Sequence, residues 1–327
     1  MGESSEQVRF KVALVDIPSE SVGQRLDNFL MFYWDDIPKN RIYRAIRKGE
    51  VRVNSGRKSA QYRLKAGDKV RIPPIGTGSL DKKSYGDALP AWVSSALKTG
   101  VLYEDDHLLV INKPSGLAVH GGSGVSFGLI EALRKLRPEQ RSLELVHRLD
   151  RDTSGCIIVA KNRSSLKNLQ NQLRFSSMSK TYQMLVVGRW PARKRRVEVA
   201  LQKNVQKSGE RIVVVSADGK ASRTDFKVIQ RFSGATLLEA DLITGRTHQI
   251  RVHTQYSGFP IVGDTKYGDD DANSTFARHG VKRLFLHSMR IEFQHPDTAE
   301  QVIVEARIDK SLQAALNRLS PEDSRNK

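Results

Sequence analysis

The sequence contains a single cysteine, Cys156, which excludes an intrachain disulfide framework and fits a reducing, cytoplasmic setting. It has no run of about 18 apolar residues, so no segment reads as a membrane-spanning helix and no membrane partner is expected. The opening stretch Met1–Arg9 is polar and lacks the apolar core of a secretory signal. Acids are in short supply: 36 Asp and Glu stand against 54 Lys and Arg, for a formal net charge of +18. Aromatics make up only 7%, yet hydrophobic residues at 39% exclude a chain disordered throughout.

A length of 327 residues suggests about two domains. The positive charge is unevenly placed between them. From Lys39 to Arg71 there are twelve Lys or Arg and two acids, Glu50 and Asp68, so this tenth of the chain carries more than half of the excess. Diffuse solvation would not cluster charge in this way. A polyanion is the expected partner, because neutralised phosphates release their condensed counterions.

The segment from about residue 18 to 75 reads as a compact unit, preceded by a short alternation over Phe10–Val15 that suits an edge strand. Gln24–Phe32 predicts a first helix, with Leu26, Phe29 and Leu30 on one face. Lys39–Lys48 predicts a second, apolar at Ile42, Ala45 and Ile46 and basic at Arg41, Arg44 and Lys48. Gly49 suits a left-handed helix end, and Glu50–Asn54 and Lys69–Ile72 alternate as strands. The unit resembles an S4 RNA-binding domain, on Gly23-Gln24-Arg25-Leu26-Asp27, the basic second helix, Lys48–Asn54 and Ala66-Gly67-Asp68. The resemblance implies a small α/β RNA-binding domain, with Arg25, Lys39, Arg41, Arg44, Arg47, Lys48 and Arg52 as the RNA-contacting residues.

The segment from Gly76 to Ser95 is rich in Gly, Ser, Lys and Asp with little periodicity, and residues 76–97 read as a linker. Residues 98–312 mix strands with fewer helices, which predicts an α+β domain with a mixed, largely antiparallel sheet. Strands are expected at His107–Ile111, Gly155–Ala160, Thr181–Val187, Arg211–Val215, Ala221–Ile229, Ala235–Leu242 and Val302–Glu305. Helices are expected at Phe127–Leu136, Ser164–Phe175 and Thr247–Gln255. Residues 313–327 read as a tail.

Three polar clusters carry the candidate chemistry. Val146-His147-Arg148-Leu149-Asp150-Arg151-Asp152-Thr153-Ser154-Gly155 lies in a loop braced by the strand that follows. Gly245-Arg246-Thr247-His248-Gln249-Ile250-Arg251-Val252-His253 opens a helix, and Lys180-Thr181-Tyr182 begins another strand. With Asn112-Lys113-Pro114-Ser115-Gly116, these closely resemble the signature motifs of the RluA family of pseudouridine synthases. The resemblance spans roughly 210 residues. The S4-like unit in front points to the branch of that family acting on large-subunit ribosomal RNA.

The resemblance implies isomerisation of uridine to pseudouridine in RNA, with 23S ribosomal RNA or the assembling large subunit as partner. The base leaves ribose C1′ through N1 and returns through C5, a redox-neutral change that calls for no metal, no nucleotide and no other cofactor. It places the essential carboxylate on Asp150. Arg246 matches the family position that pairs with it, and a guanidinium fork suits a carboxylate better than an ammonium does. Tyr182 matches the tyrosine lying against the target base, and Arg148 the arginine that fills vacated space or holds phosphate. A base within folded RNA has to be extruded first, at a cost of a few kcal/mol. The chain is expected to act as a monomer.

Other readings of the same residues are weaker. Asp150 and Asp152 as a glycosidase-like pair would need a separation that an irregular loop does not predict. His147, His248 and His253 match no zinc spacing and are expected to be structural. Cys156, followed by Ile157, Ile158 and Val159, reads as a buried strand thiol rather than a nucleophile. Gly121-Gly122-Ser123-Gly124 lacks the Gly-Lys-Ser/Thr ending of a phosphate loop. A non-catalytic RNA-binding or ribosome-assembly factor would share the basic unit but would have no use for Asp150, Tyr182 and Arg246 together. A synthase acting on transfer RNA is the remaining alternative.

Overall fold

The computed structural model describes residues 12–18, 21–34, 37, 39–74, 89–121, 127–140, 142–205 and 211–322. The chain forms two compact units, Met1–Asp87 and Ala88–Lys327.

The first unit contains β1 (Ala13–Asp16), α1 (Leu26–Tyr33), α2 (Lys39–Lys48), β2 (Arg52–Val53) and β3 (Lys69–Ile72). Its strands pair antiparallel in the order β1-β3-β2, so β1 is an edge strand as its alternation predicts. Phe10 and Lys11 of that expected strand lie outside the described residues. Helix α2 buries Ile42, Ala45 and Ile46 against Leu26, Phe29 and Leu30 of α1, the faces their spacing dictates. Gly49 ends α2 at φ +70°, and the chain then turns into β2. The buried Asp68 carboxylate accepts from Asn54 Nδ2 at 2.8 Å, Tyr62 OH at 3.1 Å and the Lys65 amide at 2.8 Å, which holds the loop before β3.

The second unit begins with α3 (Ala91–Thr99), β4 (Val101–Glu104), β5 (Leu108–Lys113), α4 (Leu129–Leu136) and β6 (Glu144–Leu145). It continues through β7 (Ser154–Ala160), α5 (Arg163–Arg174), β8 (Ser179–Val187), β9 (Arg196–Val205) and β10 (Arg211–Val215). It ends with β11 (Lys220–Phe232), β12 (Ala235–Leu242), α6 (Gln249–Tyr256), α7 (Asp270–Arg278), β13 (Leu286–Gln294), β14 (Gln301–Glu305) and α8 (Lys310–Arg318). Among the described residues these strands form one sheet of eleven, ordered β10-β9-β11-β12-β8-β13-β7-β5-β4, with β14 beside β13 and β6 beside β7. Only β7 and β13 run parallel, so the predicted mixed, largely antiparallel α+β sheet is what the chain adopts.

The centre of this sheet is buried on both faces. Leu109, Ile111, Ile157 and Val159 pack with α3 and α4, whereas Leu108, Val110, Cys156 and Ile158 pack with α5. Alternate residues therefore enter two cores, which explains why β5 and β7 read as unbroken apolar runs.

Two boundaries differ from those expected. Residues 91–97 are not linker but most of α3, whose Val93 and Leu97 are one turn apart and buried in the main core. Residues 313–318 are not tail but most of α8, which buries Leu312, Ala315 and Leu316. Its N-terminus is capped by the Asp309 carboxylate, which accepts from the amides of Ser311 and Leu312. Both helices are short, so a polar outer face outweighs a few core contacts when composition alone is read.

At the outer edge Glu104 ties three elements together, accepting from Arg137 after α4 and from Lys161 Nζ, after β7, at 2.7 Å. The Arg137 bond, with Lys161 beside it, holds the Glu104 carboxyl down at about 2. An ordinary glutamate in the unfolded chain titrates near 4.3. The stabilisation is thus fully present above that value and is lost as pH falls through about 2. Glu104→Gln should reduce stability at neutral pH by on the order of 1 kcal/mol. It should also flatten the acid limb of melting temperature against pH, as followed by circular dichroism.

Candidate active site

Asp150 sits in the loop that leads into β7, and the loop is pinned from two sides. Lys113, at the end of β5, is fully buried and its Nζ donates to the carbonyls of Pro114, Leu117 and Arg151 at 2.9 Å each. Burial brings this ammonium down to about 7. Ser115 Oγ donates to the Asp152 carbonyl at 2.7 Å, and the Gly116 amide to that of Arg151 at 2.9 Å. The Asn112–Gly116 motif thus holds the two peptides that follow Asp150. On the other side β7 approaches β13 closely: Gly155 has φ +108°, and a Cβ there would lie 2.2 Å from the Ser288 carbonyl oxygen. Glycine is required at this point by both the backbone conformation and the contact.

His147, His253 and His287 are engaged by partners within the fold, whereas His248, also expected to be structural, faces Asp150. His147 Nε2 accepts from the Ile158 amide at 3.1 Å, so it is the unprotonated nitrogen, and burial pushes the ring down to about 3. It takes up the ladder donor next after Val146, whose amide bonds Ile158 O, as the chain leaves β7 toward Asp150. His287 Nε2 donates to the Ala306 carbonyl at 3.0 Å, which leaves Nδ1 to accept from Ser154 Oγ at 2.9 Å. His253 is buried beside Ser222 Oγ at 2.8 Å.

Two groups from α6 approach the carboxylate of Asp150, and both meet the same oxygen. Arg251 Nη1 and His248 Nε2 are each 3.8 Å from Asp150 Oδ2. Arg251 is itself fixed by two bonds of 2.7 Å to buried Asp264, from Nε to Oδ2 and from Nη2 to Oδ1. Asp264 also accepts from the amides of Lys266 and Tyr267 at 2.9 Å. The guanidinium lies over the Tyr267 ring, 5.0 Å from its centroid, so only Nη1 is left to face Asp150.

His248 is held through its other ring nitrogen. The Val213 amide donates to Tyr267 OH at 2.8 Å, and that hydroxyl lies 2.8 Å from His248 Nδ1. In the neutral tautomer whose Nδ1 accepts the phenolic proton, Nε2 carries the hydrogen that faces Asp150. Burial lowers the affinity of this ring for a second proton. His248 adopts φ +53° at the start of α6, an unfavoured conformation for a side chain of this kind, and one that turns the ring inward.

Of the other expected site residues, Tyr182 lies on β8 opposite Ala240 and Ser288, with 6% of its surface exposed. Burial pushes its phenol well above the usual range, and the Asp150 charge acts in the same direction. Arg148 is exposed, and its side chain has no hydrogen bond or ion pair among the described residues. Arg246 is a correction. It does not pair with Asp150; it is exposed, and its Nε donates to the Ala221 carbonyl at 3.1 Å. The motif contains two arginines, and α6 begins only at Gln249, so Arg246 stays on the outer loop while Arg251 points inward. The signal for Arg251 is its place between two apolar residues, Ile250 and Val252, inside the expected helix, where a charge is buried only with a partner.

Asp152 pairs with Arg151 Nε at 3.1 Å. The Cys156 thiol is buried in β7 and pushed up to about 12 by that burial, as an inert strand thiol should be. Residues 122–126 of the glycine-rich loop lie outside the described residues. In the first unit, Arg25 forks onto Asp27 and Arg41 bonds Glu50 at 2.8 Å. Arg52 donates to the Gly49 carbonyl at 3.3 Å. Arg44, Arg47 and Lys48 are exposed and without such partners among the described residues; Lys39 lies in α2, and the placement of its side chain is outside the described features.

The sequence model of the family described as RNA pseudouridylate synthase matches residues 107–256, a span holding Asp150, Tyr182, His248 and Arg251. The chain is 52% identical over 310 residues to ribosomal large subunit pseudouridine synthase C of Escherichia coli strain K12, covering 94% of this chain and 97% of that protein. The corresponding proteins of Salmonella typhimurium and Vibrio vulnificus are 53% and 52% identical, over 93% and 96% of this chain and 96% and 98% of theirs. Among solved structures, human RNA pseudouridylate synthase domain containing 1 aligns with a TM-score of 0.57 at 25% identity, over 72% of this chain and 92% of that one. Human RNA pseudouridylate synthase domain containing 4 aligns with a TM-score of 0.56 at 24% identity, over 71% and 98%, which shows the shared fold.

Gly155→Ala should cost about 3 kcal/mol, since the new methyl meets backbone in a strained conformation. Chemical denaturation of the variant checks this; unchanged stability would mean that β7 and β13 are not in this contact.

Proposed function

The chain belongs to the RNA pseudouridylate synthase family and is an RNA pseudouridine synthase; on that premise we propose that it isomerises uridines of 23S ribosomal RNA with Asp150 as the reacting carboxylate. The observation that carries the assignment is the tethering of Asp150 through one oxygen. Arg251 and His248 both lie against Oδ2. Oδ1 is then the oxygen that meets the nucleotide.

The reaction breaks N1–C1′ and forms C5–C1′, and the hydrogen on C5 is lost as N1 gains one, so atoms and electrons balance without a co-reactant. Asp150 reacts at the sugar or the base, and Arg251 holds its charge in place. Tyr182 contributes its ring face to the turned base, a contact worth roughly 1–3 kcal/mol. Because its phenol is held neutral by burial, it acts as a donor or a surface rather than as a phenolate base. Arg148, exposed beside the loop, is suited to the space vacated by the base or to an adjacent phosphate. All of these side chains come from one chain, which supports action as a monomer. No described helix is long and apolar enough to cross a membrane, and a cytoplasmic ribosomal RNA is the substrate this reading requires.

The first unit, with its S4-like helix pair, supplies non-specific affinity for RNA. Arg25 and Arg41 are occupied by acids of the same unit. The RNA face is therefore centred on Arg44, Arg47 and Lys48.

Two measurements test this reading. Asp150→Asn should abolish pseudouridine formation in 23S RNA while RNA binding persists; turnover near that of the wild type would remove Asp150 from the reaction. Replacing Arg44, Arg47 and Lys48 with Ala should reduce the slope of log affinity against log salt by about 2 to 3. The rate at saturating RNA should hold, and an unaltered slope would place the RNA elsewhere.

A further inference from the structure

Within Gly188–Val197 there are five basic residues, Arg189, Arg193, Lys194, Arg195 and Arg196, and no acid. They form the turn between β8 and β9 in the catalytic unit, apart from the residues discussed so far. Arg189 and Arg196 have acid partners, Glu322 at 3.3 Å and Asp225 at 3.0 Å. Arg193 and Arg195 are exposed and have no hydrogen bond or ion pair from their side chains among the described residues. Like charges crowded on one turn repel each other, and an arrangement left without counter-charges is suited to an external anion.

The turn is built to present them rigidly. Trp190 is buried, and its Nε1 donates to the Lys194 carbonyl at 2.9 Å. The Lys194 amide bonds the Pro191 carbonyl at 2.9 Å, and the Phe226 amide bonds that of Arg195 at 2.7 Å. Lys194 Nζ lies over the Trp190 ring, 5.8 Å from its centroid. A shallow pocket of about 520 Å³ is lined by Arg193, Lys194, Arg195, Arg196, Asp225 and Phe226. A pre-set backbone reduces the ordering cost of binding.

Strand register relates this turn to the reacting centre. Tyr182 on β8 pairs with Ala240 on β12, Ala240 with Phe226 on β11, and the Phe226 amide reaches Arg195. The turn therefore stands level with Tyr182 and three strand spacings away, about 14 Å. That is within reach of nucleotides adjoining an extruded base.

We infer that the Arg193–Arg196 turn is a second RNA contact, in which Arg193 and Arg195 hold backbone phosphates of the segment flanking the target uridine. This rests on the reading of the protein as a ribosomal RNA pseudouridine synthase. The contact is to phosphate and carries no base specificity.

The test uses the full chain and a 23S RNA transcript. The variant Arg193→Ala with Arg195→Ala removes the two free charges, and Lys167→Ala with Arg174→Ala, on exposed positions of α5, removes two charges elsewhere. The first variant should lower the salt slope of affinity by about 1.4 to 1.8. It should leave the single-turnover rate at saturating RNA unchanged, and Arg193→Lys with Arg195→Lys should restore the slope. The α5 variant should keep the wild-type slope. An unchanged slope in the first variant, or an equal fall in both, overturns the inference. Pseudouridine formation by the wild type in the same transcript reports separately on the functional reading, so the two failures are distinguishable.

Discussion

Arg251 and Asp264 meet through two parallel bonds inside the catalytic unit, and Asp264 accepts two backbone amides besides. A buried ion pair is costly to desolvate and is tolerated when geometry and additional hydrogen bonds compensate. Here the pair sets the direction of an atom that is not in it. With Nε and Nη2 taken by Asp264 and one face on Tyr267, the guanidinium cannot rotate, and Nη1 has one place to point. Asp150 lies there.

Tyr267 links the two groups that face Asp150. Its ring supports Arg251, and its hydroxyl lies 2.8 Å from His248 Nδ1. One side chain from the turn after α6 thus touches both groups that face the same carboxylate oxygen. From the other side, Lys113 and Ser115 hold the peptides that follow Asp150, and Gly155 lets β7 lie against β13. The loop is fixed at both ends while Asp150 itself retains an open side. Such support from neighbouring groups is what keeps a reacting carboxylate in one geometry.

Much of this could be read from the residues in order. The amphipathic faces of α1 and α2, the strands β10 and β12 and the motif loop around Asp150 follow from period and spacing. The apolar run of β7 does not by periodicity alone separate a strand buried on both faces from a buried helix segment, so its two-sided burial is visible only in the fold. β13 was missed for a related reason: His287, Ser288 and Arg290 read as polar, yet His287 and Ser288 are buried because their neighbours on β7 and β8 enclose them. The exchange of Arg246 for Arg251 has a geometric origin. Two arginines five residues apart straddle the start of α6, and only the folded helix decides which one faces inward.

Net charge alone does not locate an RNA surface in a protein with 54 basic residues. What distinguishes one arginine from another is whether the fold has already neutralised it. Arg25, Arg41, Arg196 and Arg251 have carboxylates of their own, and each contributes to holding its element in place. Among the described residues Arg44, Arg47, Arg148, Arg193 and Arg195 have none, and they are exposed. A guanidinium already neutralised by a carboxylate displaces few of the cations condensed on RNA phosphates, whereas an unpaired one displaces them, and that release from the RNA is the source of salt-dependent affinity. The residues proposed to grip a phosphate chain are therefore those left over after the structure has met its own electrostatic needs.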